Sequence, residues 1–356
     1  MLRVHATGVT NSAPGLQRYA QIMSETSAPL TPALRDVQAG LPVTQVSLTR
    51  VGVRGVEKVI HVASPAGGAP SLFFAELEAF VDLKPDQAGV HMSRFEDVVN
   101  AAIDDVILSK TLRAEELAAK IAEQVRERQH GYRAEVHITA RYAETVQAPE
   151  SGLSTQEIYK LLGVAVASEG GTRTLTGVEA QGMTACPCAQ GLLADRARDR
   201  LEIDGFSHSE IERIFDAVPV ATHNQRGIGQ LHLGKAEGSE TDIDARDLLR
   251  IVEASMSSEI YELMKRSDEA AVVEKAHRNP RFVEDVVREM VRRVAESYPE
   301  LRDGGFIFAR QENLETIHRH TVVAERTGLI SEVLDEVETG THSRRHVSLR
   351  EWLEQG

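Results

Sequence analysis

Apolar and polar residues alternate over residues 43–53, where Thr44, Val46, Leu48 and Arg50 share one parity, and this period of two predicts a half-buried strand. A second strand is expected at 57–62 and a third at 71–83, with Gly67, Gly68, Ala69 and Pro70 as the turn between them. The period then changes to that of a helix. Phe95, Val98, Val99, Ala102, Ile103, Val106 and Ile107 form one apolar stripe, with Ser93 as N-cap and Glu96 completing a capping box. A second helix starts at Thr111, carries Leu117, Ala118, Ile121 and Val125, and ends at His130 and Gly131. Residues 133–142 alternate again through Ala134, Val136, Ile138 and Ala140.

From Thr172 the order of elements restarts. A strand is expected at 172–184, a helical region at 207–217 and an edge or hairpin strand at 227–234. Helices follow at 244–255 and 280–296 and strands at 305–310 and 320–325, with Trp352 near the end. This order fits either two tandem repeats of one antiparallel unit or a single α+β domain with insertions. Residues 1–38, dotted with Ser, Thr and Pro and without period, read as an arm.

A chain of 356 residues, 42% hydrophobic and 26% charged, is an ordinary globular composition with room for two modest domains. Its net charge of −14, from 40 basic and 54 acidic residues, argues against duplex nucleic acid as a partner. A phosphorylated small substrate needs only a few local cations and stays open. No apolar run approaches the roughly 20 residues of a membrane span, and no secretory signal is visible at the start. The expectation is a cytoplasmic, reducing location with no membrane partner.

Cys186 and Cys188, separated by Pro187, are the only two cysteines. They are too close to staple a fold and poorly placed for a mutual disulfide. They read either as small buried residues at a kinked strand end or, since no thiol is spent elsewhere, as a metal ligand or reactive group. His223 lies in the polar run ATHNQR at 221–226, which is a solvated loop or a site with His223 as ligand and Arg226 on phosphate. Glu315, His318 and His320 are close enough for Glu315 to orient the His318 ring if the segment turns. Thiolate, imidazole and carboxylate together are the donor set of a zinc, iron or manganese site. By residue type alone, Lys265 to Glu269 is a charged surface turn. Asn279 and Pro280 are the cap and first residue of a helix whose Glu284 merely offsets the dipole.

Seven ordered segments carry a resemblance: LPVTQVSL at 41–48, HMSRF at 91–95, GMTACPCAQ at 182–190, ATHNQR at 221–226, LMKRSDE at 263–269, NPRFVED at 279–285 and NLETIHRH at 313–320. The chain resembles, over about residues 38–330, the GTP cyclohydrolases of type IB, and most of all the archaeal-type enzymes of pterin synthesis. The resemblance implies an α+β tunnelling fold of two tandem modules, each an antiparallel sheet with two helices, at 39–170 and 171–356 after the arm. Such modules close into barrels on oligomerisation, here into a homotetramer with interfacial sites. It implies hydrolysis of GTP at guanine C8, ring opening and release of formate. By motif, Cys186 and His223 would be metal ligands, and Glu269 a ligand or a water-positioning carboxylate. His318, oriented by Glu315, would be the acid/base, Cys188 a second thiol of the site and Glu284 the guanine anchor. Arg226 is assigned to the triphosphate. Fe(II) is the expected metal, with Mn(II) or Zn(II) as alternatives. Ser267 departs from the family's KRPDE run and leaves the geometry of that loop open. The product is dihydroneopterin triphosphate or the 2′,3′-cyclic phosphate. Two rivals remain: a same-fold enzyme on another pterin or 7-deazapurine with a nucleophilic cysteine, and a non-catalytic metal-binding oligomer.

Overall fold

The computed structural model describes residues 38, 40–62, 71–106 and 113–354. Most of the expected arm, the turn at 67–70, Ile107 and the helix start at Thr111 lie outside the described residues. The first half runs β1 (Leu48–Val62), β2 (Ser71–Leu83), α1 (Met92–Val106), α2 (Ala114–Gln129), β3 (Ala134–Gln147) and β4 (Ser154–Ser168). Every second residue of β2, from Phe73 through Ala75, Leu77, Ala79 and Val81 to Leu83, is buried beneath the helices, as the alternation predicts. Leu117, Ala118, Ile121, Ala122 and Val125 of α2 are buried against the same face. At Gly163 of β4 a Cβ would stand 2.2 Å from the Ala114 carbonyl carbon, so only glycine lets α2 start this close to the sheet.

The second half runs β5 (Gly171–Ala185), α3 (Pro187–Ile203), α4 (His208–Ala217), β6 (Asn224–Lys235), α5 (Ala245–Ser255), β7 (Ser258–Glu259), α6 (Arg266–Arg278) and α7 (Val283–Ser297). A 3-10 turn (Pro299–Arg302), β8 (Phe306–Leu314), β9 (Val322–Leu329), α8 (Ile330–Thr339) and α9 (Leu349–Glu354) follow. All strands join one antiparallel sheet in the order β1-β2-β3-β4-β5-β6-β8-β9, with β7 added beside β5. Residue 170 falls in the turn between β4 and β5, and the sheet passes through it unbroken. A main core lies between the sheet and α1, α2, α5, α7 and α8. Ala165 and Ala167 of β4 belong to it, whereas Val164 and Val166 point the other way. There, with Leu175 and Phe306, they form a second core under Trp352 and Leu353 of α9. None of the described helices is long and apolar enough to cross a membrane.

Several local expectations are corrected. The strands expected at 43–53 and 57–62 are one strand, β1, carried through an irregularity at Gly55, whose φ of +67° a side chain would resist. β4 escapes the pattern because its inner half is covered on both faces, so alternation gives way to an unbroken buried run. β6 is an interior strand between β5 and β8, not an edge. α3 buries no residue and so shows no apolar stripe; the cysteines lie at its start, with Cys186 as N-cap and Pro187 in its first turn. α1 begins at Met92, which puts Ser93 inside its first turn, and Glu96 pairs with Lys58 (2.6 Å). Asn279 terminates α6, and α7 is capped instead by Asp285, whose Oδ2 accepts the Phe282 N–H at 3.1 Å. Lys265 to Glu269 is no surface turn but the opening of α6. The segment 315–321 is irregular, and β9 starts only at Val322.

His232, on the α9 side of β6, has its ring 5.0 Å from that of Phe308 and an enclosed Nε2 without a hydrogen-bond partner. Burial pushes its pKa down to about 4, against the opposing pull of Glu179. The unfolded chain therefore binds this proton more readily than the folded one. The residue's stability contribution is full above about pH 6.5, falls as the pH drops to about 4, and then levels off. The loss is at most about 3–4 kcal/mol. Thermal midpoints at pH 7 and pH 5 should differ less in His232→Gln than in the wild type; equal differences would refute this account.

Candidate functional site

The end of β5 and the start of β6 continue their ladder beyond the strands, and this brings two of the singled-out residues together. The Cys186 N–H donates to the His223 carbonyl at 3.1 Å, and the Thr222 hydroxyl donates to the Cys186 carbonyl at 2.9 Å. The His223 ring, with only 14% of its side chain exposed, faces Gln225 Oε1 through Nδ1 at 3.0 Å. A carbonyl oxygen only accepts, so Nδ1 carries the proton and Nε2 keeps a free lone pair. Gln225 is held in turn by Nε2 donating to the buried Thr184 hydroxyl at 2.9 Å.

Glu315 closes the group from the loop after β8. Its Oε2 stands 3.8 Å from His223 Nδ1, its side chain is 7% exposed, and that oxygen is buried with no hydrogen-bond partner. The Thr316 hydroxyl pins the loop by donating to the Asn224 carbonyl at 3.0 Å. A buried carboxylate oxygen without a donor is costly unless something positive or protic reaches it. A half-buried thiol, an imidazole with a free nitrogen and an unsatisfied carboxylate are hard–soft mixed donors of the kind that bind a divalent transition metal. These residues fit such an ion as part of a site. Among the described residues, however, no group of three or more His, Cys, Asp or Glu side chains is already placed to hold one.

The remaining singled-out residues surround this group without joining it. Cys188 is exposed in the first turn of α3. Glu269 is exposed in the first turn of α6, and Glu284 in the first turn of α7. α7 starts beside the thiol: the Arg281 N–H donates to the Ala185 carbonyl at 3.0 Å. His318 is exposed and stacks on His320 with ring centroids 5.2 Å apart. The expected Glu315–His318 pairing is therefore not formed within the chain, since Glu315 faces His223 instead. Arg226, whose exposed side chain makes no hydrogen bond or ion pair among the described residues, lines a pocket of about 450 Å³ with Gln181, Met183, Asn224, Tyr261 and Thr316.

The supporting roles of several residues were not read from the sequence. Ser257 Oγ accepts the Ala185 N–H at 3.1 Å, and Asn279 Nδ2 donates to the carbonyls of Met256 and Ser257, each at 3.3 Å. Gln190 Nε2 bridges the carbonyls of Val220 (2.7 Å) and His277 (2.6 Å), and His277 Nε2 lies 3.3 Å from the Thr222 carbonyl. Asp268 is fully buried next to Glu269. Burial raises its pKa, but hydrogen bonds from Ser151, Lys265 and Glu150 outweigh burial and hold the carboxyl well below its usual range. Gln190, Asp268 and Asn279 lie in the matched segments, which was their one signal; Ser257 and His277 lie outside them and carried none.

Residues 34–324 match the family model described as type I GTP cyclohydrolase folE2. The GTP cyclohydrolase MptA of Methanococcus aeolicus is 40% identical over 308 residues, covering 85% of this chain and 99% of the relative. That of Methanocaldococcus jannaschii is 38% identical over 307 residues, covering 85% and 97%. Among solved structures, a uricase from Arthrobacter globiformis aligns with a TM-score of 0.48 at 13% identity, covering 85% of this chain and 98% of the uricase.

Proposed function

The chain belongs to the type I GTP cyclohydrolase family, and on that premise we propose that it is a metal-dependent enzyme whose centre is built on Cys186 and His223. It is a GTP cyclohydrolase, a hydrolase of pterin biosynthesis. The observation that carries the metal reading is the junction of Cys186 and His223 beside the partnerless Glu315 oxygen. Cys186 Sγ and His223 Nε2 would hold the ion, Fe(II) before Mn(II) or Zn(II), with Glu269 as a further ligand or a carboxylate that orients water. When bound, a divalent ion lowers the pKa of water from about 15.7 towards about 7 and so supplies hydroxide for attack at guanine C8.

The chain's own groups do the rest. Gln225 fixes the His223 tautomer, and Thr184 fixes Gln225. Glu284 accepts the amide and amine protons of the guanine edge and orients the base. Arg226, which lines its pocket with no ion pair among the described residues, meets phosphate oxygens bidentately. His318 delivers protons to the ring nitrogens as two waters in turn cleave the two C8–N bonds, the first leaving a formamide and the second releasing C8 as formate. Cys188 stands as the second thiol. We read the exposed Glu269, Glu284 and His318 as groups that a homotetramer of two-module chains brings to interfacial sites.

The test is anaerobic incubation of metal-stripped protein with GTP and Fe(II), Mn(II) or Zn(II). Formate and, after oxidation, a fluorescent pterin are expected only with metal. We favour the 2′,3′-cyclic phosphate as product; its formation from a triphosphate must release diphosphate, whereas dihydroneopterin triphosphate releases none. Turnover that survives exhaustive chelation but not cysteine alkylation would replace the metal with a nucleophilic thiol.

A further inference from the structure

We propose that Asp268 is the positioning residue for Glu269, acting as the seat on which a turn of the first half sets the first turn of α6. This rests on the reading of Glu269 as a group of the metal centre. Asp268 Oδ1 accepts the N–H groups of Glu150 and Ser151, each at 2.8 Å. Its Oδ2 accepts the Ser151 hydroxyl at 2.7 Å and the Lys265 N–H at 2.8 Å. The last of these bonds is an ordinary helix cap, which closes the first turn of α6 on itself. The other three reach residues 117 and 118 positions away, in the turn between β3 and β4, and a cap does not need them. That turn is itself closed, with the Ala148 N–H on the Leu153 carbonyl at 2.9 Å and the Gly152 N–H on the Ala148 carbonyl at 3.1 Å.

The other end of α6 is gripped as well. His277, in its last turn, approaches the Thr222 carbonyl next to His223, and its own carbonyl accepts from Gln190. α6 is thus a strut of 13 residues, about 20 Å long, running from the β3–β4 turn to the loop that carries His223. Glu269 sits one residue from the seat, with its N–H on the Lys265 carbonyl at 3.0 Å. Its backbone is therefore fixed relative to the His223 loop, while its side chain stays free to reach out. Asp268 touches neither the thiol nor the imidazole, so it acts through Glu269.

The experiment compares Asp268→Asn, Ser151→Ala, Glu269→Gln and the Asp268→Asn/Glu269→Gln double variant in full-length protein. Three readouts are taken: metal retained on equilibrium dialysis, kcat and KM for formate release, and thermal midpoint. Asp268→Asn should lower metal affinity and kcat by about 10–100-fold with KM little changed. Ser151→Ala, which removes one bond of four, should show a smaller loss in the same two readouts. The double variant should be no worse than Glu269→Gln alone. Losses that multiply in the double variant, or a folded Asp268→Asn with wild-type metal affinity and kcat, would overturn the inference while leaving the metal reading intact. A Glu269→Gln variant with unchanged metal content and turnover would instead remove the role of Glu269, and the inference with it.

Discussion

Cys186→Ala is expected to lose bound metal and to release formate about a thousandfold more slowly or worse, some 4 kcal/mol of transition-state stabilisation. The fold should not notice the change. Cys186 serves the structure through its backbone: its N–H bonds the His223 carbonyl, its carbonyl accepts from Thr222, and as N-cap of α3 its side chain makes no capping hydrogen bond. The thiol is thus dispensable for stability, and a thermal midpoint close to that of the wild type is the control. Cys188→Ala, at an exposed position of the first turn, should cost far less. A Cys186→Ala protein that still binds metal stoichiometrically and turns over GTP would end the ligand assignment. One that binds metal normally yet is inactive would favour the thiol as nucleophile.

Trp352→Ala should cost about 3–5 kcal/mol of stability. The indole is 1% exposed and stacks on Phe306 with ring centroids 5.4 Å apart. Its Nε1–H donates to the Gly304 carbonyl at 2.9 Å, and the Arg173 guanidinium lies 5.2 Å from its ring. β6 makes room for it at Gly234, where a Cβ would stand 2.5 Å from the indole. Because Trp352 is the only tryptophan, its fluorescence reports this one docking event. Urea titrations followed by fluorescence in the wild type, and by circular dichroism in wild type and variant, give the comparison. A midpoint unmoved in Trp352→Ala would mean that α9 adds nothing to the sheet it covers. Trp352→Phe, which keeps a ring but loses the Nε1–H, should fall between.

Legibility in the sequence followed the number of faces an element buries. β2, β3, α1, α2 and α5 each bury one side, so the polar residues on their other side betray the period. β4, covered on both faces along its inner half, and α3, buried on neither, leave no period to read. The chemistry was legible in a different way. Residue types suggested Cys186 and His223, but nothing local distinguished Glu269 and Glu284 from surface charges; only the ordered motifs did so. Glu315 was paired with His318 on spacing, yet the ladder between β6 and β8 carries the start of the loop towards His223. Asp268 was indistinguishable from its charged neighbours, because three of its four hydrogen bonds come from residues more than a hundred positions away.

The second core also sets a clock. Arg173, in the same strand as Leu175, meets the carbonyl of a residue 179 positions later. At about 5–20 residues per second of synthesis, the apolar face of β4 and β5 waits roughly 10–35 s for its cover. For that interval Val164 and Val166 of β4 and Leu175 of β5 are an uncovered apolar surface. A nascent chain of this kind is a natural client for holding chaperones, and slowing synthesis between β5 and α9 should raise the fraction lost to aggregation.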